Sequence, residues 1–191
     1  ACMPTICQAF IGRPKDVAAG DDFERKLYIC RRMIEKHVSA EKALNGKIFY
    51  VCSMSARTIV YKGMLVSTQM RRFFTDLNNA AVESAIALVH SRYSTNTTPS
   101  WSRAPPNRYI IHNGEINTLR GSVNWIRARE PHLYSPKFGD ELERVLPIIG
   151  KEGSDAETLD NGLEFLAASG RSLARAVSLL LPDPWEHNPQ L

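Results

Sequence analysis

Apolar residues follow two rhythms along this chain. Phe23, Leu27, Cys30, Ile34 and Val38 recur every three or four positions, the spacing that lines one face of an α-helix. Asp21 or Asp22 can cap that helix, and Asn45-Gly46 can stop it. Lys47 to Ser53 and Thr58 to Tyr61 are β-branched and aromatic runs around Met54-Ser55-Ala56-Arg57, which predicts a hairpin. A short strand is expected at Ala9 to Ile11, and a helical or turn-rich stretch over 67–79 around Phe73-Phe74. Ala85 to Tyr93 and Arg108 to His112 read as strands, the first of them buried, with a polar, proline-rich loop over 94–107 between them. The helical rhythm then returns. Asn117 to Glu130 is expected to be a helix with Trp125 facing inward, and residues 131–153 to be irregular. Asp155 to Ala168 and Ser172 to Leu181 are expected as two helices split at Gly170, with Pro182 and Pro184 ending the second. No repeat or linker divides the pattern.

Composition narrows the class. The 191 residues are 43 % hydrophobic and 23 % charged, enough apolar material for a core without disulfides or metal. The net charge of +4 is spread among acids, as in Arg31-Arg32-Met33-Ile34-Glu35-Lys36, and lacks the basic-aromatic interleaving of a nucleic-acid surface. Cys2, Cys7, Cys30 and Cys52 form no CxxC pair and have no histidine at zinc spacing, so buried, reduced thiols are expected, and with them a cytoplasmic setting, or a plastid. No stretch has the length and apolarity of a membrane helix, and the first thirty residues lack a signal-peptide pattern.

The stretch His112-Asn113-Gly114-Glu115 carries the first chemical suggestion. Asn-Gly after an apolar run is an ordinary β-turn signal. It also supplies two donors, an Asn amide and a Gly N–H with no Cβ in the way, that can converge on one oxyanion. Arg92 closes the preceding apolar run and is suited to a carboxylate, or to a surface salt bridge. Asp155, in Gly153-Ser154-Asp155, is either a helix cap or the acceptor for an ammonium. Together these three features describe acyl transfer from an amino acid.

The longer motifs carry a resemblance. His90-Ser91-Arg92-Tyr93-Ser94-Thr95-Asn96-Thr97, Pro99-Ser100-Trp101, His112-Asn113-Gly114-Glu115-Ile116-Asn117-Thr118, Asn124-Trp125, Arg127-Ala128-Arg129-Glu130, Leu159-Asp160-Asn161 and Pro182-Asp183-Pro184-Trp185 strongly resemble the class II (N-terminal nucleophile) glutamine amidotransferase domain of glutamate synthase, over residues 9–191. The resemblance implies an α+β fold of the Ntn-hydrolase type, a four-layer α/β/β/α sandwich, incomplete here at its N-terminal side. It implies that Arg92 binds the α-carboxylate of L-glutamine, Asp155 its α-ammonium, and Asn113 and Gly114 the oxyanion. The family's nucleophile is an N-terminal cysteine whose own amine serves as base. Ammonia passes to a distant synthase region carrying FMN and an iron–sulfur cluster, where 2-oxoglutarate becomes glutamate.

This sequence departs from the family in two places. Its beginning, Ala1-Cys2-Met3, corresponds to the middle of the family domain, so the expected reading is a partial domain over 1–191 without the nucleophile-bearing half. Cys2 would become N-terminal only by loss of Ala1. Pro105-Pro106 also stands where the family carries Gln-Pro. The expected parent is therefore a glutamate synthase, with the remainder of that polypeptide as partner, no cofactor in this segment, and neither nucleic acid nor membrane involved. The chain alone is expected to be inactive and poorly stable. The alternatives are a non-catalytic module that binds glutamine or glutamate, and a diverged remnant.

Overall fold

The structure is a computed structural model that describes residues 3–44, 48–91, 98–114, 116, 119–150 and 153–181. It divides into two compact units, Ala1–Glu115 and Ile116–Leu191.

The first unit is organised by helix α1, Asp21–Ala40. Gly20 occupies the cap position with φ 89°, a left-handed conformation that glycine adopts without strain. The expected caps, Asp21 and Asp22, lie instead inside the first turn, where their charge favours the helix N-terminus. They are engaged sideways, Asp21 with Arg57 and Asp22 with Arg25, each at 2.7 Å. The shared bond with Asp21 raises the Arg57 guanidinium above its ordinary pKa. Glu24 accepts from Ser55 Oγ at 2.7 Å and from the Ala56 N–H at 2.8 Å, so the loop 53–57 is tied to the start of α1.

The buried face of α1 begins as expected with Phe23 and Leu27 and then departs from the apolar stripe. Cys30 and Ile34 are exposed, whereas Arg31 is buried. The reason is electrostatic. Glu35 receives Arg31 at 2.7 Å and Arg32 at 2.8 Å from its own helix, and Arg108 lies 3.6 Å away. Burial alone would raise the Glu35 pKa, but the guanidiniums of Arg31, Arg108 and Arg32 hold it below the ordinary carboxylate value. Arg108 also donates to the Val51 carbonyl at 2.6 Å and lies over the Tyr50 ring. The helix ends at Ala40, and a 3₁₀ turn, Lys42–Leu44, follows; Asn45-Gly46 lies outside the described residues.

Helix α2, Ser67–Phe73, and the 3₁₀ turn Thr75–Asn78 fall where a helical or turn-rich stretch was expected. Phe73, at the end of α2, and Phe74 after it join Tyr61 and Trp101 in an aromatic cluster, with contacting ring centroids 4.9 to 5.8 Å apart. The Tyr61 hydroxyl donates to Asp76, and burial together with that bond pushes its pKa up to about 12.

The strands expected in this unit form no β-ladder among the described residues. Ala9 to Ile11, 48–53, Thr58 to Tyr61, 85–91 and Arg108 to His112 run without a paired edge. An extended segment becomes a strand only when a neighbouring edge takes its N–H and C=O groups. Here side chains take some of them, as when the Val60 N–H bonds Ser53 Oγ at 3.2 Å. The segment from Ala85, expected to be buried, instead exposes Ile86 (76 %), Leu88 (56 %) and Val89 (79 %).

The second unit is helical and close to its sequence pattern. Helix α3 is Leu119–Arg129; the expected start at Asn117 lies outside the described residues. Trp125, expected inward, is 67 % exposed, and the Arg129 guanidinium sits 5.3 Å from its ring centroid. The face of α3 that packs is instead the one bearing Ile126, beside Gly162 and Leu180. Residues 131–153, expected to be irregular, hold 3₁₀ turns at Glu130–His132 and Gly139–Glu141 and a short helix α4, Leu142–Val145. They also supply Phe138, Val145, Ile148 and Ile149 to the core. Glu130 accepts the Ile148 N–H at 2.7 Å and holds that stretch beneath the end of α3. Helix α5, Asp155–Ala168, has the expected bounds, and Ser154 caps it by accepting the Glu157 N–H at 3.1 Å. Gly170, at φ 90°, turns the chain into α6, Leu173–Leu180. Phe138 stacks on Phe165 at 5.7 Å. No helix among the described residues is long and apolar enough to cross a membrane.

Candidate functional site

Asn113 and Gly114 stand exposed at the end of the first unit. The turn that presents them is held by two histidines. The His112 carbonyl accepts from His90 Nε2 at 3.1 Å, which fixes the His90 proton on Nε2. The buried His90 Nδ1 has no hydrogen-bond partner among the described residues. The Gly114 N–H donates to His112 Nδ1 at 3.3 Å, a long contact that leaves this donor weakly engaged. The two histidines are therefore hydrogen-bonded supports of the Asn-Gly turn. Arg92 lies outside the described residues, as does Cys2.

Asp155 belongs to the second unit and opens α5, one residue after the cap. Its Oδ1 accepts the Ala156 N–H at 2.8 Å and its Oδ2 accepts the Ile116 N–H at 3.3 Å. Both bonds fix the carboxylate while leaving lone pairs on each oxygen. Asp155 is half-buried and lines a small cavity of about 50 Å³ with Ile116, Ser122, Thr158 and Leu180.

On the other side of Thr158 a larger open cleft, of about 470 Å³, is lined by Arg120, Val123, Asn124, Arg127, Gly150 and Gly153. Motif reading missed this cleft. The signal was present in Arg120, Asn124 and Arg127, at four- and three-residue spacing on one helix face. The cysteines differ from expectation. Cys7 and Cys30 are exposed and Cys52 is half-exposed, all as free thiols. Cys7 and Cys52 lie on extended segments without a paired edge among the described residues, and Cys30 lies on the exposed face of α1, so none is enclosed.

Comparison with known proteins places these observations. The sequence profile of the class-II glutamine amidotransferases matches residues 1–191. The chain is 48 % identical over 188 residues to the large chain of the NADPH glutamate synthase of Bacillus subtilis, covering 98 % of this chain and 12 % of that protein. It is 50 % identical over 172 residues to the NADH glutamate synthase of Schizosaccharomyces pombe, covering 90 % of this chain and 8 % of that one. It is 44 % identical over 189 residues to the chloroplastic ferredoxin-dependent glutamate synthase of Oryza sativa, covering 99 % and 12 %. The chain thus spans about an eighth or less of the length of these relatives. With the profile matching from end to end, the chain belongs to the class-II glutamine amidotransferases.

Proposed function

We propose that this chain is part of the glutaminase region of a glutamate synthase. Glutamine hydrolysis there supplies ammonia for making glutamate from 2-oxoglutarate. The observation that carries the reading is the similarity to glutamate synthases over nearly every residue of the chain, at 42 to 50 % identity. The proposed fold of the complete domain is the four-layer α/β/β/α sandwich of Ntn hydrolases.

In this reading a cysteine thiolate attacks the side-chain amide carbon of glutamine. The carbonyl oxygen takes up negative charge, the C–N bond then breaks, ammonia leaves with the proton from the nucleophile's amine, and water hydrolyses the thioester to glutamate. The nucleophile is not assigned to any of these residues. Asn113 Nδ2 and the Gly114 N–H stabilise the oxyanion, for which the Gly114 donor turns from His112 to the substrate. Arg92 grips the α-carboxylate with its two-pronged guanidinium. Asp155, already held by two backbone N–H groups, takes the α-ammonium.

We place the flavin and the iron–sulfur cluster of such an enzyme in other regions of the parent polypeptide; among the described residues no three His, Cys, Asp or Glu side chains converge as metal ligands would.

The test uses the complete polypeptide that carries this segment. Arg92→Ala and Asp155→Ala are each expected to raise the KM for glutamine at least about tenfold, by loss of a charge-assisted contact. Ammonia-dependent glutamate formation should be unchanged in both. An unchanged KM for glutamine in both variants would overturn the assignment.

A further inference from the structure

The cleft beside α3 has no part in the chemistry proposed above. Arg120, Asn124 and Arg127 project from one face of α3, with Val123 between them, and Gly150 and Gly153 form the facing wall. Both arginines are exposed, and neither makes an ion pair among the described residues. A helix face that is merely solvated usually interleaves acids with its bases; α3, Leu-Arg-Gly-Ser-Val-Asn-Trp-Ile-Arg-Ala-Arg, contains none.

The spacing defines what the cleft can hold. Seven residues separate the arginines, so their Cα atoms stand about 10 Å apart along the helix axis on nearly the same side. A compact anion such as phosphate meets one guanidinium well and the other poorly. A linear molecule with a carboxylate at each end meets both, one fork at each end. The cleft volume of about 470 Å³ lies within the range of small-molecule sites. Asn124 offers an amide between the two guanidiniums. Gly150 has no atom near the position a Cβ would take, so the facing backbone stays open to a ligand.

We propose that this cleft is a binding site for a small linear dicarboxylate, gripped at its two ends by Arg120 and Arg127. The probe is glutarate, titrated calorimetrically at low ionic strength into the complete polypeptide that carries this segment, with the Arg120→Ala/Arg127→Ala double variant as the reference and with butyrate and inorganic phosphate in parallel. Saturable binding of one glutarate beyond that of the reference is expected, with butyrate and phosphate each at least about tenfold weaker. Arg120→Ala and Arg127→Ala should each weaken this binding by about tenfold or more. Both side chains are exposed, so circular dichroism should match the parent chain. Absence of saturable glutarate binding beyond that of the double variant overturns the proposal. So does phosphate binding there as tight as glutarate binding.

Discussion

Glu35 is where three cations meet one carboxylate. Arg31, Arg32 and Arg108 surround it, and only the carboxylate form keeps all three contacts. Its folded pKa is depressed, so its contribution to stability is fully present above the unfolded carboxylate value. That contribution is lost as pH falls below about 4.5 and through the folded pKa. Glu35→Gln is expected to lower stability at pH 7 by roughly 2 kcal/mol, since it leaves buried guanidiniums with a neutral partner. Urea unfolding at pH 7 and pH 3.5 checks this: the difference between parent and variant should be large at the first pH and shrink at the second. An equal difference at both would remove Glu35 from this role. The residue was only half legible in the sequence. The spacing of Arg31 and Glu35 is visible there, but Arg108 comes from 73 positions further on and has no local signal. The same holds for Asp155. Its position beside a helix start was readable from Gly153-Ser154-Asp155, whereas the bond from the Ile116 N–H was not.

Helices could be read from the chain because each carries its own instructions. The bounds of α5 follow from a capping serine and a period of three to four, and those of α6 from Ser172 after a left-handed Gly170. Strands carry only half of theirs, since the other half is the partner edge. The runs at 48–53 and 85–91 have strand composition, yet they lie unpaired among the described residues. Trp125 shows a related failure. It was expected to face inward, but the face of α3 that packs is the one bearing Ile126, beside Gly162 and Leu180, and Trp125 is left on the outer face. Packing between segments gives one sharp prediction. A Cβ at Gly63 would stand 2.5 Å from Cζ3 of Trp101, a rigid ring within the aromatic cluster of Phe73, Phe74 and Tyr61. Gly63→Ala is expected to destabilise the first unit by about 1 to 3 kcal/mol through overpacking. Trp101→Leu should reduce that penalty in a double-mutant cycle, and strict additivity of the two changes would contradict the contact.

The first unit leaves an unusual amount of apolar surface in water. Phe10 is 92 % exposed and Ile48 81 %, alongside the residues of the 85–91 segment. Unpaired extended chain with apolar side chains is a surface that binds other chains. The 191-residue chain is therefore expected to bind the dye ANS strongly and to melt over a broad range. A narrow, cooperative transition without dye binding would show that these segments are covered within the chain. The chain purified alone is also expected to release no ammonia from glutamine, since we assign its nucleophile to none of these residues. The central claim concerns the whole enzyme, and Asn113 tests it most directly. In the complete polypeptide, Asn113→Ala removes one proposed oxyanion donor without touching the region that uses ammonia. Glutamine-dependent glutamate formation should fall by about 10² to 10³ in kcat, with ammonia-dependent formation retained. Full glutamine-dependent activity in this variant, or an equal loss of both activities, would contradict the account.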